Sequence, residues 1–141
     1  MTIKIKKLHP EAIIPRFVRE GDAGFDLHAA EEVIIPSGER KLIATGIALA
    51  IPQGHVGLIW DRSGMAAKNG IKSMGGVVDQ TYRGEVKVIL HNLSNQSFTI
   101  EKGMRIAQML IQPVVQKEIL EVDELDDTIR GDGAFGSSGM K

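Results

Sequence analysis

Cysteine is absent from the 141 residues, which excludes disulfides and thiolate metal sites. No stretch reaches the ~20 apolar residues that a membrane helix needs. The opening "MTIKIKKLHP" also lacks the apolar run of a signal peptide, so no membrane partner and a cytoplasmic location are expected. Charge of one sign is lacking too: the formal net charge is −1, which gives no global attraction to nucleic acid or an anionic membrane. Any anion site must therefore be a local cluster of arginines and amides. Aromatic residues make up only 4% of the chain, so a phenylalanine in the glycine- and serine-rich ending "IRGDGAFGSSGMK" stands out. What is present, 43% hydrophobic and 25% charged residues at this length, suits one domain with a real core.

Alternation dominates the pattern. Ile3 and Ile5 alternate with lysines, and "VIIPSGERKLIATGIALAIPQGHVGLIW" reads as short apolar runs divided by "PSGE" and "PQGH". Pro followed two residues later by Gly is turn chemistry, because Pro presets φ and Gly accepts a positive one. The rhythm returns in "VKVILHNLSNQSFTIEKGMRIAQMLIQPVV", with "LSNQS" and "EKG" as breakers. Strands at this spacing predict an all-β barrel or sandwich. Only "SGMAAKNG", residues 63–70, reads as a helix, stopped by Asn69-Gly70. No internal repeat is present. The acidic "EVDELDDT" followed by the Gly/Ser ending is a composition shift, which predicts a packed domain over 1–125 and a tail over 126–141.

Four constellations carry chemistry. In "WDRSGMAAKNG", Arg62, Ser63 and Gly64 stand at the helix start, where unpaired N–H groups and the helix dipole favour an anion. The plain alternative makes Ser63 only an N-cap. In "GGVVDQTYRGEV", two valines lead into Asp79 and then Tyr82, which reads as a hairpin presenting backbone groups to a planar ligand, with Asp79 at its mouth or simply in a solvated turn. In "DAGFDLHAA", Asp22 and Asp26 form a carboxylate pair able to hold Mg²⁺ through water, or else two turn formers. His9, His28, His55 and His91 are scattered, so no zinc site is assigned. Finally, "GDGAFG" formally matches G-x-G-x-x-G, but it neither opens a helix nor lies in a βαβ unit. It remains a strip of amides and hydroxyls with one cation, Arg130, and one flat ring, Phe135, unless it is only a disordered end.

In order and spacing these segments resemble the five motifs of the trimeric dUTPase family: "AGFDL" (23–27), "RSGMA" (62–66), "GVVDQTYRGE" (76–85), "GMRIAQM" (103–109) and "RGDGAFGSSG" (130–139). The resemblance implies a distorted jelly-roll or β-barrel subunit, a homotrimer with sites at its interfaces, and Mg²⁺-dependent hydrolysis of dUTP to dUMP and pyrophosphate. Such an activity limits uracil incorporation into DNA and supplies dUMP for thymidylate synthesis. By the same resemblance Asp79 is the base for the attacking water, and Arg62, Ser63, Gly64, Gln108, Arg130, Ser137 and Ser138 occupy phosphate-contacting positions. The backbone of Gly76, Val77 and Val78 pairs with the uracil edge, which cytosine cannot match. The resemblance further implies that Tyr82 packs on the deoxyribose, that Phe135 with Gly136 closes over the base, and that Asp26 reaches a substrate-held Mg²⁺ through water.

Several positions depart from the family pattern: Asp61 for a proline, Phe25 for a tyrosine, Met104 for an aspartate, Gln80-Thr81 for a more acidic pair, and Ala134 and Ser138 for Gly and Thr. Asp61 would place a negative charge beside a phosphate site unless it points away or is paired. Two alternatives share the fold. A dCTP deaminase-like enzyme is expected to carry a glutamate within the strand "VKVIL", which has none. A non-catalytic nucleotide-binding relative would survive loss of Asp79.

Overall fold

Short alternating apolar runs have one stable outcome, strands with one face turned inward, and ten of them form. The computed structural model describes residues 1–141. In chain order they are β1 (Lys4–Lys7), β2 (Phe25–His28), β3 (Val33–Ile35), β4 (Arg40–Ala50), β5 (His55–Trp60), α1 (Ser63–Asn69), β6 (Ile71–Met74), β7 (Val77–Val78), β8 (Glu85–Asn92), β9 (Phe98–Ile100) and β10 (Arg105–Pro113). One four-stranded sheet runs β1-β4-β8-β6, a second runs β2-β10-β5-β7, and β3 pairs with β9 as a two-stranded ribbon. All pairings are antiparallel. The fold is all-β and jelly-roll-like, with one short helix.

Both sheets and the ribbon turn their apolar faces into a single core. Leu27, Ile35, Ile43, Leu90, Ile100, Ile106 and Met109 are at most 1% exposed and belong to one cluster. Truncating one such side chain to alanine costs about 2–5 kcal/mol. The one polar group at the same depth, Asn92, is fully satisfied. Its Nδ2 donates to the Ile35 and Gln96 carbonyls, and its Oδ1 accepts from the Ser94 N–H and hydroxyl.

The turns form where local chemistry predicts them. Glu39 N–H bonds to Pro36 O with Gly38 at φ +78°, and His55 N–H bonds to Pro52 O with Gly54 at φ +76°. Proline takes the first corner of each rather than the second, so Gly supplies the essential geometry. Helix α1 ends at Gly70, φ +64°, whose N–H reaches back to the Met65 and Ala66 carbonyls.

Two expectations change. Residues 77–86 are not a hairpin, because Val77 and Val78 pair with β5 whereas Glu85 onward pairs with β4. Residues 79–84 therefore bridge the two sheets. The segment "DAGFDLHAA" is also more than a loop: Phe25–His28 is a strand beside β10, with Phe25 and Leu27 buried. After Pro113 no strand or helix forms, and residues 114–141 are exposed apart from a half-buried Gly133. No helix is long and apolar enough to cross a membrane.

Candidate active site

The bridge between the sheets frames a cavity of about 330 Å³ lined by Ile59, Gly76, Val77, Val78, Asp79, Tyr82 and Glu85, with Leu42, Val86 and Lys87 completing it. That volume lies at the lower end of small-molecule sites. Gly76 sits so close to β5 that a Cβ would come within 2.9 Å of the Ile59 carbonyl, and its φ of +95° excludes other residues. Its own carbonyl accepts the Ile59 N–H at 2.8 Å. Asp79 is exposed at the cavity mouth, and its carbonyl accepts the Tyr82 N–H at 3.1 Å, closing a turn. Gln80 ties the other side of this turn to the body by accepting the Gly54 N–H through Oε1.

A second group forms on the outer face of the β2-β10-β5-β7 sheet. Phe25, Met109 and Ile59 are cross-strand partners and all buried, so their neighbours Asp26, Gln108 and Trp60, paired at the next level, point outward together. The Asp26 carboxylate lies between two guanidinium groups, with Arg62 Nε 3.2 Å from Oδ1 and Arg105 Nε 3.6 Å from Oδ2. Arg62 also donates through Nη1 to the Arg105 carbonyl at 3.3 Å. One carboxylate against two guanidiniums leaves a local excess of positive charge, suited to an anion. Asp22 does not join it: its carboxylate accepts the Arg19 N–H, so of the two readings left open by the sequence it takes that of a turn former.

Helix α1 begins beside this cluster. Arg62 is the N-cap residue and no side chain caps the helix, so Ser63 is the first helical residue rather than its cap. Ser63 and Gly64 are both exposed there.

The Asp61 carboxylate turns away from the arginines. Its Oδ1 accepts the Ser73 N–H at 2.5 Å and the Ser73 hydroxyl at 2.6 Å, and its Oδ2 pairs with Lys72 Nζ at 2.9 Å. Burial acts to raise its pKa, but the hydrogen bonds from Ser73 and then Lys72 outweigh it and hold the carboxyl below its usual range. The Asp61 carbonyl accepts Gln108 Nε2 at 2.9 Å. The turn carrying Arg62 and Ser63 is thus fastened to β6 on one side and to β10 on the other. His28, next to this cluster on β2, is held below its ordinary pKa by burial and by Arg105, and its Nδ1 is buried without a partner.

No group of three or more His, Asp or Glu side chains is arranged to hold a metal ion. With Asp26 already engaged by two arginines, the chain fits an ion that brings its own oxygen ligands and meets the protein through water, not a protein cage.

The fold brings Gly76, Val77, Val78, Asp79 and Tyr82 to one cavity, and Asp26, Arg62, Ser63, Gly64 and Gln108 to the second group. None of the latter lines that cavity. The tail residues join neither: Phe135 is fully exposed, and Arg130 donates through Nε only to the Gly133 carbonyl. Turns closed at Gly131, Gly133 and Gly139 shape this segment. Arg105, Lys72, Ser73 and Glu85 were not singled out from the sequence. Arg105 lies inside "GMRIAQM" and could have been found as a cation three residues from Gln108, but the partners of Asp61 and Glu85 depend on strand pairings.

The chain matches the dUTPase family model over residues 10–139. It is 55% identical to a deoxyuridine 5'-triphosphate nucleotidohydrolase of Nautilia profundicola, with 99% of each chain covered. Its structure is similar, with TM-score 0.93 and 31% identity over 99% of each chain, to a dUTPase variant of Staphylococcus bacteriophage 80alpha solved with dUpNHpp. A dUTPase variant from phage phi11 of S. aureus, whose structure concerns the coordination of a structural Mg(II) ion, matches with TM-score 0.85 and 25% identity over 90% of this chain and 100% of that one. With ordered motifs, sheet topology and full-length similarity in agreement, the chain belongs to the dUTPase family.

Proposed function

We propose that the protein hydrolyses dUTP to dUMP and pyrophosphate. The observation that carries this reading is the cavity between the sheets, which has backbone groups of Gly76–Val78 at its wall, Asp79 at its mouth and Tyr82 beside it. Uracil enters with its N3–H and O4 toward that backbone, and cytosine, with the opposite pattern, leaves polar groups unpaired. Tyr82 lies against the sugar. A water attacks the α-phosphorus, its oxygen forming the new bond while the bond to the bridging oxygen breaks and pyrophosphate departs. Asp79 takes the proton of that water.

Arg62, Ser63, Gly64 and Gln108 take the phosphates, where positioning and positive charge matter more than covalent chemistry. Mg²⁺, carried chiefly by the triphosphate, supplies further positive charge at the phosphate oxygens. Asp26 is the carboxylate that would meet its water shell.

None of the second group lines the cavity of its own chain, which supports a homotrimer whose sites combine subunits. Large apolar side chains left uncovered beyond the last strand, Ile119, Leu120, Leu125 and Ile129, support the same assembly. Residues 126–141 then act as a lid over the 1–125 domain, Phe135 with Gly136 closing on uracil and Arg130, Ser137 and Ser138 meeting the phosphates. The protein works in the cytoplasm, lowering dUTP available to DNA synthesis and supplying dUMP.

The test is pyrophosphate release from dUTP, dCTP, dTTP and UTP, with Mg²⁺ and with chelator, for wild type and Asp79→Ala. The expected result is Mg²⁺-stimulated turnover confined to dUTP and lost in the variant while nucleotide binding persists. Turnover that survives in Asp79→Ala removes the proposed base, and an inert wild type that still binds nucleotide marks a non-catalytic relative.

A further inference from the structure

Glu85 stands where the 79–84 bridge enters β8, and it makes two contacts of different kinds. Its backbone carbonyl accepts the Tyr82 hydroxyl at 2.8 Å. Its carboxylate Oε2 accepts the Gly46 N–H at 3.0 Å. Gly46 lies in the one interruption of the β4–β8 ladder, where the register changes between the Ala44–Lys87 and Ala48–Glu85 pairs. A bulge of this kind leaves backbone groups without ladder partners. Glu85 satisfies one of them, and the Thr45 hydroxyl, donating to the Val86 carbonyl, fastens the same bulge to the next residue of β8. The bulge is itself unyielding: Gly46 has φ +71°, and a Cβ there would collide with the His9 ring.

Tyr82 has little else to hold it. It is 45% exposed, and its ring rests on Gly84, where a Cβ would come within 2.7 Å of the ring Cζ. The direction of the ring therefore follows from that glycine contact and from the carbonyl of Glu85. We infer that Glu85 is a positioning residue for sugar selectivity: by gripping the β4 bulge through Gly46 it fixes the carbonyl that aims the Tyr82 ring across the cavity, and so sets the discrimination between deoxyribo- and ribonucleotides. This rests on the reading above, which places a nucleotide sugar against Tyr82.

Two measurements on the full chain test it. One is the ratio of kcat/KM for dUTP to that for UTP. The other needs no nucleotide: Tyr82 is the only tyrosine, so ¹³C-labelled tyrosine gives one set of ring signals that reports its surroundings. Glu85→Gln keeps an acceptor for the Gly46 N–H and should preserve both readouts. Glu85→Ala removes it and should lower the ratio on the order of tenfold, a modest discrimination by shape lost, while the ring signals move toward free-tyrosine positions. Gly84→Ala displaces the ring and leaves the Glu85–Gly46 bond in place, so it should lower the ratio as well, even should Glu85→Ala fail to fold.

A wild-type ratio and unmoved ring signals in a folded Glu85→Ala protein overturn the inference. So does an unchanged ratio in Gly84→Ala, or an equal loss in the Gln and Ala variants. Should the wild type hydrolyse neither nucleotide, the functional reading fails, and the ring signals alone decide whether Glu85 orients Tyr82.

Discussion

Asp61 and Ser73 are joined twice, the carboxylate accepting both the backbone N–H and the hydroxyl of the serine. Asp61 thus serves the scaffold beneath Arg62, its charge taken up by Ser73 and Lys72. Its pKa is depressed in the folded chain, so its stabilisation is present above the unfolded-state value of ~3.9 and is lost as pH falls through the lower folded value. Urea midpoints of wild type and Asp61→Asn should therefore differ at pH 7 and converge as pH falls below about 4. A gap that persists in acid would assign the effect to packing instead of charge.

Asp26 holds Arg62 and Arg105 in place while neutralising only part of their charge. In Asp26→Ala the arginines still attract the triphosphate but lose their alignment. Steady-state kinetics should show kcat falling roughly tenfold with a smaller change in KM, since misplacement acts mainly on the reacting geometry. A raised KM with kcat intact would make Asp26 a binding group only.

Buried Asn92 satisfies its amide on the carbonyls of Ile35 in β3 and Gln96, and its carbonyl oxygen on Ser94. Leucine at this position leaves backbone partners without bonds, at about 1–3 kcal/mol for each buried group so stranded. Denaturant unfolding of Asn92→Leu should register that loss without a change in nucleotide selectivity.

Removal of residues 126–141 takes away no strand or helix. The truncated protein should melt within a few degrees of the full chain, yet lose most of its turnover. Phe135→Ala alone should weaken dUTP binding about 5- to 150-fold, the equivalent of about 1–3 kcal/mol for one base stacked on an aromatic ring. Unchanged kinetics in both variants would show the tail to be idle.

What could be read from the sequence was what neighbours in the chain decide. The turns at Gly38 and Gly54, the stop of α1 at Gly70 and the alternation of β8 all follow from residues within a few positions of each other. The strand Phe25–His28 escaped because four residues carry only two apolar alternations, and its identity as a strand comes from pairing with residues some eighty positions later in β10. The same holds at the site. The motif residues were visible as types and spacings, but the partners of Asp61 and Glu85 and the separate sheets of Val78 and Glu85 are products of long-range pairing. Distant loop closure, not local propensity, makes those choices.

Because residues 79–84 leave one sheet and arrive in the other, Asp79 and Tyr82 sit on a tie-rod between two plates. A slight shear of the plates, too small to expose the core, would still rotate the tie-rod and shift the carboxylate at the cavity mouth. Side chains that set the plate spacing, such as Ile59 beneath one anchorage and Val86 beside the other, are both buried and both line the cavity. Packing changes there should register in reaction rate before they register in melting temperature.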